Sequence, residues 1–250
     1  MMEQEKIERM IDEYVSGKSA NKISIYEKIN ISSLMRILRK NNVKVRTVGE
    51  GVDLFYNDSG RDNINLSEEL KEIIYGNLLG DGCVRKGKSE IRGQYSHVDK
   101  NLEYILWLKK LLSENGVETY HNQTKGKSKC FYLQTNTYNV FSDFRKLFYV
   151  DGKRIVPKQT KLTPIIFRQW FISDGSIATS SSALNIAKSP FNETLMKEIR
   201  DILGDGCTYH FEEKRGCGKF YIPARYSNDF YNYIGKSPVA CYDYKWKKEK

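Results

Sequence analysis

Cysteine, histidine and proline are scarce in this chain, and long apolar runs are missing. The five cysteines, Cys83, Cys130, Cys207, Cys217 and Cys241, contain no C-x-x-C pair, which argues against a zinc ribbon and against a disulfide framework. The three histidines, His97, His121 and His210, are scattered and form no H-E-x-x-H, so a catalytic zinc site of that kind is not expected. A metal held by oxygen ligands remains open. No stretch of about eighteen apolar residues occurs, and no membrane contact is expected. The opening MMEQEKIERMIDEY alternates charged and apolar groups where a signal peptide would carry an apolar core. A soluble intracellular protein, cytoplasmic or in an organellar matrix, is the expected class.

Positive charge is plentiful. Lysine and arginine number 41 against 31 acids, a formal net charge of +10 that points to an acidic partner such as nucleic acid. The positives are interleaved with 17 tyrosines and 11 phenylalanines. Lys86, Lys88, Arg92, Lys125, Lys127, Lys129, Lys214, Arg215 and Lys219 fall in or beside segments that read as strands, a pattern that favours a basic sheet face. With 250 residues and 40% hydrophobic content, the chain can build one large or two ordinary cores.

Two segments, IYGNLLGDG at Ile74 to Gly82 and FRQWFISDG at Phe167 to Gly175, read as helices that each end in Asp-Gly. Ser67 with Glu68 and Glu69, and Thr163 with Pro164, supply their N-terminal signals. Gly82 and Gly175 are expected to stop them in the left-handed conformation. A helix C-terminus carries partial negative charge, so a carboxylate there is disfavoured by a few tenths to about 1 kcal/mol unless a cation sits beside it. A single Asp-Gly is ordinary turn vocabulary. Two matched copies make Asp81 and Asp174 candidate metal ligands.

The halves of the chain repeat each other. FYLQTNTYNVF at Phe131 to Phe141 echoes FYIPARYSNDF at Phe220 to Phe230, LSENGVETY echoes LGDGCTY, and Asp81 pairs with Asp174, all at an offset of roughly ninety residues. Each unit reads as motif helix, hairpin, helix, hairpin, helix. In the first, strands span 85–97, a helix spans 101–115, a hairpin spans 119–135 around Lys125-Gly126-Lys127, and a helix spans 139–148. The second has strands over 176–188, a helix over 193–203, a hairpin over 208–222 and a helix over 227–234. The LGDG at Leu203 to Gly206 resembles the motif end but aligns with a helix end and turn, so Asp205 is expected to be a surface cap.

Residues 1–48 have another character. Ile7, Met10, Ile11 and Tyr14 make a helical stripe ending near Gly17, Ser19 opens a second helix, and Ser32 is expected to cap a third that carries Leu34, Ile37 and Leu38. The pattern suggests helix-turn-helix, with Arg36, Arg39, Lys40, Lys44 and Arg46 available to phosphates. A helical subdomain that only packs is the alternative. Residues 49–65 read as a linker.

The two Asp-Gly helices, the FYVDGKRIVP run, the LTP entry to the second helix and the late YDYKW together resemble the single-chain LAGLIDADG homing endonucleases over roughly residues 66 to 250. The resemblance implies an α+β fold of duplicated αββαββα repeats related by a pseudo-two-fold axis, with saddle-shaped antiparallel sheets. The divisions would be 1–48 for the N-terminal module, 66–149 and 163–250 for the repeats, and 150–162 for the link between them. It implies motif helices packed side by side, with Gly76, Gly80 and Ser173 as small contact residues. Arg168 and Gln169 depart from that pattern.

By the same resemblance, Asp81 and Asp174 bind Mg²⁺ or Mn²⁺ with the main-chain carbonyls of Gly80 and Ser173, and two adjacent centres cut both strands of DNA, leaving short 3′ overhangs. Arg154 and Lys245, at matching positions of the repeat, stand where a central basic group is expected, and His97 and Lys188 where a polar group orders water. Hairpins in the major groove would read sequence. Arg85, Arg92, Gln94, Tyr95, Lys129, Gln134, Asn185, Lys219 and Tyr221 are the candidates, about half of which strand alternation should turn away from the DNA. Expected partners are a double-stranded DNA target and, on the maturase reading, intron RNA, with a monomer as the functional form. The rival readings are a DNA-binding regulator that does not cut and an RNA maturase.

Overall fold

The computed structural model describes residues 4–58, 64–87, 91–124, 129–178, 181–189, 192–213 and 217–246. Lys88, Lys125, Lys127, Lys214 and Arg215 lie outside them. The chain forms two compact units, Met1–Asn63 with Lys86–Arg92, and Ile64–Arg85 with Gly93–Lys250.

In the first unit, α1 (Gln4–Val15), α2 (Ala20–Tyr26) and α3 (Ile31–Lys40) enclose Met10, Tyr14, Ile23, Leu34 and Leu38. Ser19 caps α2, accepting from the Lys22 N–H at 3.3 Å. The cap of α3 is Asn30 and not Ser32: Asn30 is extended and its Oδ1 accepts from the Ser33 N–H at 2.7 Å, while Ser32 lies inside the first turn. Part of the expected linker is a helix, α4 (Val48–Asp58). Its start is a capping box in which Glu50 N–H donates to Thr47 Oγ1 at 3.3 Å and Thr47 N–H donates to Glu50 Oε2 at 2.6 Å. Two end donors are satisfied at once, which offsets the cost of Gly49 and Gly51.

The second unit contains the duplication. Its first copy runs α5 (Glu68–Leu79), β1 (Cys83–Lys86), β2 (Gly93–Asp99), α6 (Leu102–Glu114), β3 (Thr119–Gln123), β4 (Phe131–Thr135) and α7 (Asn139–Phe148). A ribbon of β5 (Tyr149–Val150) and β6 (Lys153–Arg154) follows. Asp151 and Gly152 turn it with φ of 49° and 74°, the positive values that a two-residue type I′ hairpin turn needs. The second copy runs α8 (Pro164–Asp174), β7 (Gly175–Ile177), β8 (Leu184–Ser189), α9 (Glu193–Leu203), β9 (Thr208–Glu212), β10 (Cys217–Ile222) and α10 (Ser227–Ile234), then a 3-10 segment at Ala240–Lys245. The sheets have the equivalent antiparallel orders β1-β2-β4-β3 and β7-β8-β10-β9. Each covers its own core, one around Leu108, Leu133 and Phe141, the other around Trp170, Phe220 and Phe230.

Helices α5 and α8 join the copies. A β-carbon at Gly76 would stand 2.6 Å from Gln169 Cβ, so the fully buried Gln169 occupies the space that Gly76 leaves open. The departure from small residues at Gln169 is therefore matched by a glycine on the facing helix. Tyr104 OH lies 2.8 Å from Asn77 Oδ1 and 2.7 Å from Gln169 Oε1, and Asn77 Nδ2 donates to Tyr95 OH at 3.0 Å. Arg168 turns toward α10, its Nη1 3.5 Å from the Ile234 carbonyl.

The glycines after the motif helices are needed for space and not for a left-handed turn. Gly175 is extended at φ −80°, ψ 149°, and Gly82 is not among the positive-φ glycines. A β-carbon would lie 2.9 Å from the Asn77 carbonyl oxygen at Gly82, and 2.5 Å from Phe171 Cε2 at Gly175. The two helix ends also differ. α8 runs through Asp174, whereas α5 stops at Leu79 and leaves Asp81 in the turn beyond its Gly80 cap.

Candidate active site

The C-terminal ends of α5 and α8 converge because Gly80 lacks a side chain. A β-carbon there would stand 2.6 Å from Ser173 Oγ and 3.5 Å from Asp174 Oδ2. Asp81 is exposed and Asp174 half-buried. Both carboxylates are added to helix ends that already carry partial negative charge. A cation from elsewhere in the fold meets each end. Arg154 Nη2 donates to the Leu78 carbonyl, and to the Gly80 carbonyl at 2.7 Å. Lys245 Nζ donates to the Phe171 carbonyl at 3.2 Å and the Ile172 carbonyl at 2.5 Å. Leu78 and Phe171 hold the same place relative to the motif aspartates, so the two cations share one equivalent carbonyl, while their other acceptors, Gly80 and Ile172, do not correspond.

The cations differ in environment. Arg154 is exposed, whereas Lys245 is only 8% exposed. Burial lowers the Lys245 pKa to about 8, against the opposing pull of Asp174, Asp99 and Asp81. The Lys245 ammonium also lies 5.8 Å from the Phe171 ring centre and 5.4 Å from that of Tyr242.

The donor set suits a hard divalent cation that keeps several waters, because it offers carboxylate and carbonyl oxygens only. Ser173 Oγ, at the same junction, is buried with no hydrogen-bond partner. Among the described residues no group of three or more histidines, cysteines, aspartates or glutamates could hold a metal by itself. Any ion here would draw on backbone carbonyls and water as well as Asp81 and Asp174.

His97 is 1% exposed and points to the inner side of its sheet, its Nε2 3.9 Å from Asp99 Oδ2 and its Nδ1 without a partner. A direct water-ordering role does not fit that position. Lys188 lies in β8, and its side chain falls outside the described residues. Asp99 was not expected in the site. It accepts from the Tyr242 hydroxyl, and from the Asn101 N–H at 2.7 Å, just ahead of α6. The only local sign of it is an aspartate before a helix, which reads as an ordinary turn.

Strand alternation sorts the candidate base readers. The partners Ser96, Gln134 and Tyr120 lie across β2, β4 and β3, so they share the outer face of the first sheet. Gln134 Nε2 donates to Gln94 Oε1 at 2.5 Å, and Tyr120 OH donates to Gln134 Oε1. Arg85 is exposed on β1, and Lys129 is exposed just before β4. In the second sheet Tyr221 pairs with Asn185 and Thr208, and Lys219 with His210, again on the outer face. Two candidates are excluded. Tyr95 is fully buried and bonded to Asn77, because it alternates inward from Gln94. Arg92 is 1% exposed and its Nε bonds Asp53 at 3.0 Å within the first unit.

In that unit Arg36, Arg39 and Lys40 stand exposed on α3, with Lys44 exposed just beyond. Arg46 is committed elsewhere. Its guanidinium lies 4.0 Å over the Tyr14 ring and donates to the Lys18 carbonyl at 3.0 Å, so it is not free for phosphate.

A family model described as "LAGLIDADG DNA endonuclease family" matches residues 71–232. Cytochrome b mRNA maturase bI2 of Debaryomyces hansenii is 28% identical over 153 residues, 56% of this chain and 58% of that protein. The uncharacterized protein MJ1098 of Methanocaldococcus jannaschii is 25% identical over 138 residues, 52% of this chain and 53% of that protein. The chain thus spans somewhat over half the length of these two relatives. The DNA endonuclease I-ChuI of Chlamydomonas applanata is 24% identical over 209 residues, 73% of this chain and 96% of that protein. Among solved structures, the homing endonuclease I-WcaI bound to its DNA recognition sequence superimposes with a TM-score of 0.65 at 18% identity, covering 82% of this chain and 96% of that one. At that identity the likeness is one of fold.

Proposed function

Because the chain belongs to the LAGLIDADG DNA endonuclease family, we propose that it is a site-specific endonuclease that hydrolyses both strands of a double-stranded DNA target with a divalent metal, leaves short 3′ overhangs and promotes mobility of an intron or similar element. The observation that carries this reading is the meeting of Asp81 and Asp174 at the Gly80–Ser173 contact, with Arg154 and Lys245 on the two helix ends. A helix pair needed only for packing has no use for two carboxylates and two cations at one end.

Asp81 and Asp174, with the Gly80 and Ser173 carbonyls, would hold Mg²⁺ or Mn²⁺. Such an ion, when bound, neutralises the scissile phosphate, activates water and stabilises the leaving oxygen. The chain supplies the rest. Arg154 and Lys245 add positive charge beside the phosphates, and Arg154 keeps its charge throughout because a guanidinium does not lose its proton readily. Water adds to phosphorus as the bond to the leaving sugar oxygen breaks; one proton passes from the water to solvent, and the departing oxygen takes one from solvent to become a hydroxyl. The outer sheet faces, with Arg85, Gln94, Lys129 and Gln134 on one side and Asn185, Lys219 and Tyr221 on the other, would lie in the major groove. A single chain holds both copies of the site, so it acts as a monomer.

The test is cleavage of a plasmid library of randomised targets by the purified chain with Mg²⁺, followed by sequencing of the cut ends. Asp81→Asn and Asp174→Asn should each abolish double-strand cutting and leave binding to the recovered target. Retained cleavage in either variant rejects the assignment. Tight binding without cleavage by the wild type favours a regulator.

A further inference from the structure

We propose that Asp99 is a positioning residue for one of the two cleavage centres, holding through Tyr242 the segment that carries Lys245. Only the strand served by that centre should depend on it. The inference rests on the nuclease reading above.

Lys245 closes a short 3-10 segment, Ala240–Lys245, and 3-10 hydrogen bonds are too poorly aligned to hold a buried ammonium by themselves. The segment is pinned from both copies. On the first copy, the Tyr242 hydroxyl donates to Asp99 Oδ2, and the Ala240 N–H donates to Glu103 Oε1 at 3.0 Å. On the second, Tyr231 OH donates to the Lys245 carbonyl at 2.9 Å, and Trp246 Nε1 to the Gly235 carbonyl at 2.8 Å. Asp99 is itself fixed, with its side chain 7% exposed, its Oδ1 on the Asn101 N–H and its Oδ2 beside His97 Nε2. Burial pushes the Asp99 carboxyl up, but the nearby His97 imidazole and the hydrogen bonds from Tyr242 and Asn101 outweigh it and hold it below the usual range. It is therefore an ionised acceptor, the stronger kind. The Tyr242 ring meanwhile faces the ammonium, so one side chain both anchors the segment and lines the site.

Among the described residues, no such hydrogen bond is found at the second centre. Alignment of the copies places Pro190 opposite Asp99 and Asp151 opposite Tyr242, so neither partner of the bond is repeated. Arg154 instead stands exposed on the β5–β6 ribbon. The centres share a plan but differ in how the cation is held. Small misplacements of a catalytic group are costly to rate, so loosening the Asp99–Tyr242 bond should slow one centre and spare the other.

The test uses the full chain on a supercoiled plasmid carrying its target, with each strand end-labelled in a parallel linear substrate. Tyr242→Phe keeps the ring and removes the hydroxyl. Asp99→Asn keeps the shape and removes the charge. Each should slow cleavage of one strand by about tenfold or more, accumulate nicked circles and leave DNA affinity and the other strand's rate unchanged. Arg154→Ala should favour the opposite nick. A general loss of stability would slow both strands together, so equal slowing, or no slowing, in a Tyr242→Phe protein with native unfolding behaviour overturns the inference alone. A wild type that cuts neither strand overturns the nuclease reading, and this inference with it.

Discussion

Gln169 fills the space that Gly76 leaves open on the facing motif helix, and the two hold equivalent positions in the two copies. The interface is thus duplicated in outline and asymmetric in detail. A pair of glycines would leave a gap, and a pair of glutamines would collide. The match depends on having both copies in one chain.

Gly76→Ala should therefore destabilise the protein. Alanine in a helix interior gains about 1 kcal/mol over glycine, but the new methyl would sit 2.5 Å from the Ile166 carbonyl oxygen, a backbone atom that cannot turn aside. Overpacking of this kind typically costs about 1–3 kcal/mol, and the clash should win. Adding Gln169→Gly, which removes the Cβ that the new methyl would meet at 2.6 Å, should recover only that part and leave the clash with the Ile166 backbone, a non-additivity read from urea unfolding of the two single variants and the double variant.

The faces of β2 and β4 predict a division between stability and recognition. Tyr95→Phe removes the buried acceptor for Asn77 Nδ2 and should lower stability by about 1–2 kcal/mol, with target preference unchanged. Gln134→Ala lies on the outer face, so it should leave the urea midpoint in place and change the preferred bases in a target-library selection. The reverse outcome would mean that the sheet presents its other face to DNA.

Regular apolar spacing made most of the duplicated unit legible in the sequence. The helices Asn139–Phe148, Glu193–Leu203 and Ser227–Ile234 fall where periodicity puts them. What stayed hidden was of two kinds. Helix α4 has two glycines in its first turn and is held by the Thr47–Glu50 box, a signal outweighed in composition by its glycine and aspartate. Tyr95 was legible as a strand residue, but alternation gives two faces without saying which is buried, and Arg92 lies just before β2, held by Asp53 of the first unit, a contact 39 residues away that no local pattern shows. Asp99 needed tertiary information altogether, because its partner Tyr242 is 143 residues away.

Acid should loosen the N-terminal unit through Glu27. Its carboxylate accepts from Arg9 at 2.8 Å and pairs with Lys6 at 3.2 Å, joining α1 to the end of α2. Burial raises its pKa, and the hydrogen bonds from Arg9 and Lys6 more than offset that, leaving it lowered. A depressed carboxylate stabilises the fold above its ordinary pKa, about 4.3 for glutamate, and that contribution is lost as pH falls through the lower folded value. Amide protection factors in α1 and α2 should therefore decline below about pH 4. In Glu27→Gln they should already be lower at neutral pH and decline less with acid.

Helix α3 makes the most quantitative prediction about DNA. Arg36, Arg39 and Lys40 are exposed there, while the neighbouring Arg46 is spent on Tyr14 and Lys18. If the three exposed cations meet phosphates, each releases about 0.9 of a counterion on binding, and the slope of log affinity against log salt should fall by close to 3 in the triple alanine variant. None of the three supports the core of Met10, Ile23, Leu34 and Leu38, so unfolding should be unaffected. Arg46→Ala should do the opposite, loosening the fold of the unit and changing the salt slope little. A triple variant with the wild-type slope would mean that α3 does not touch the DNA, and that this unit packs without binding.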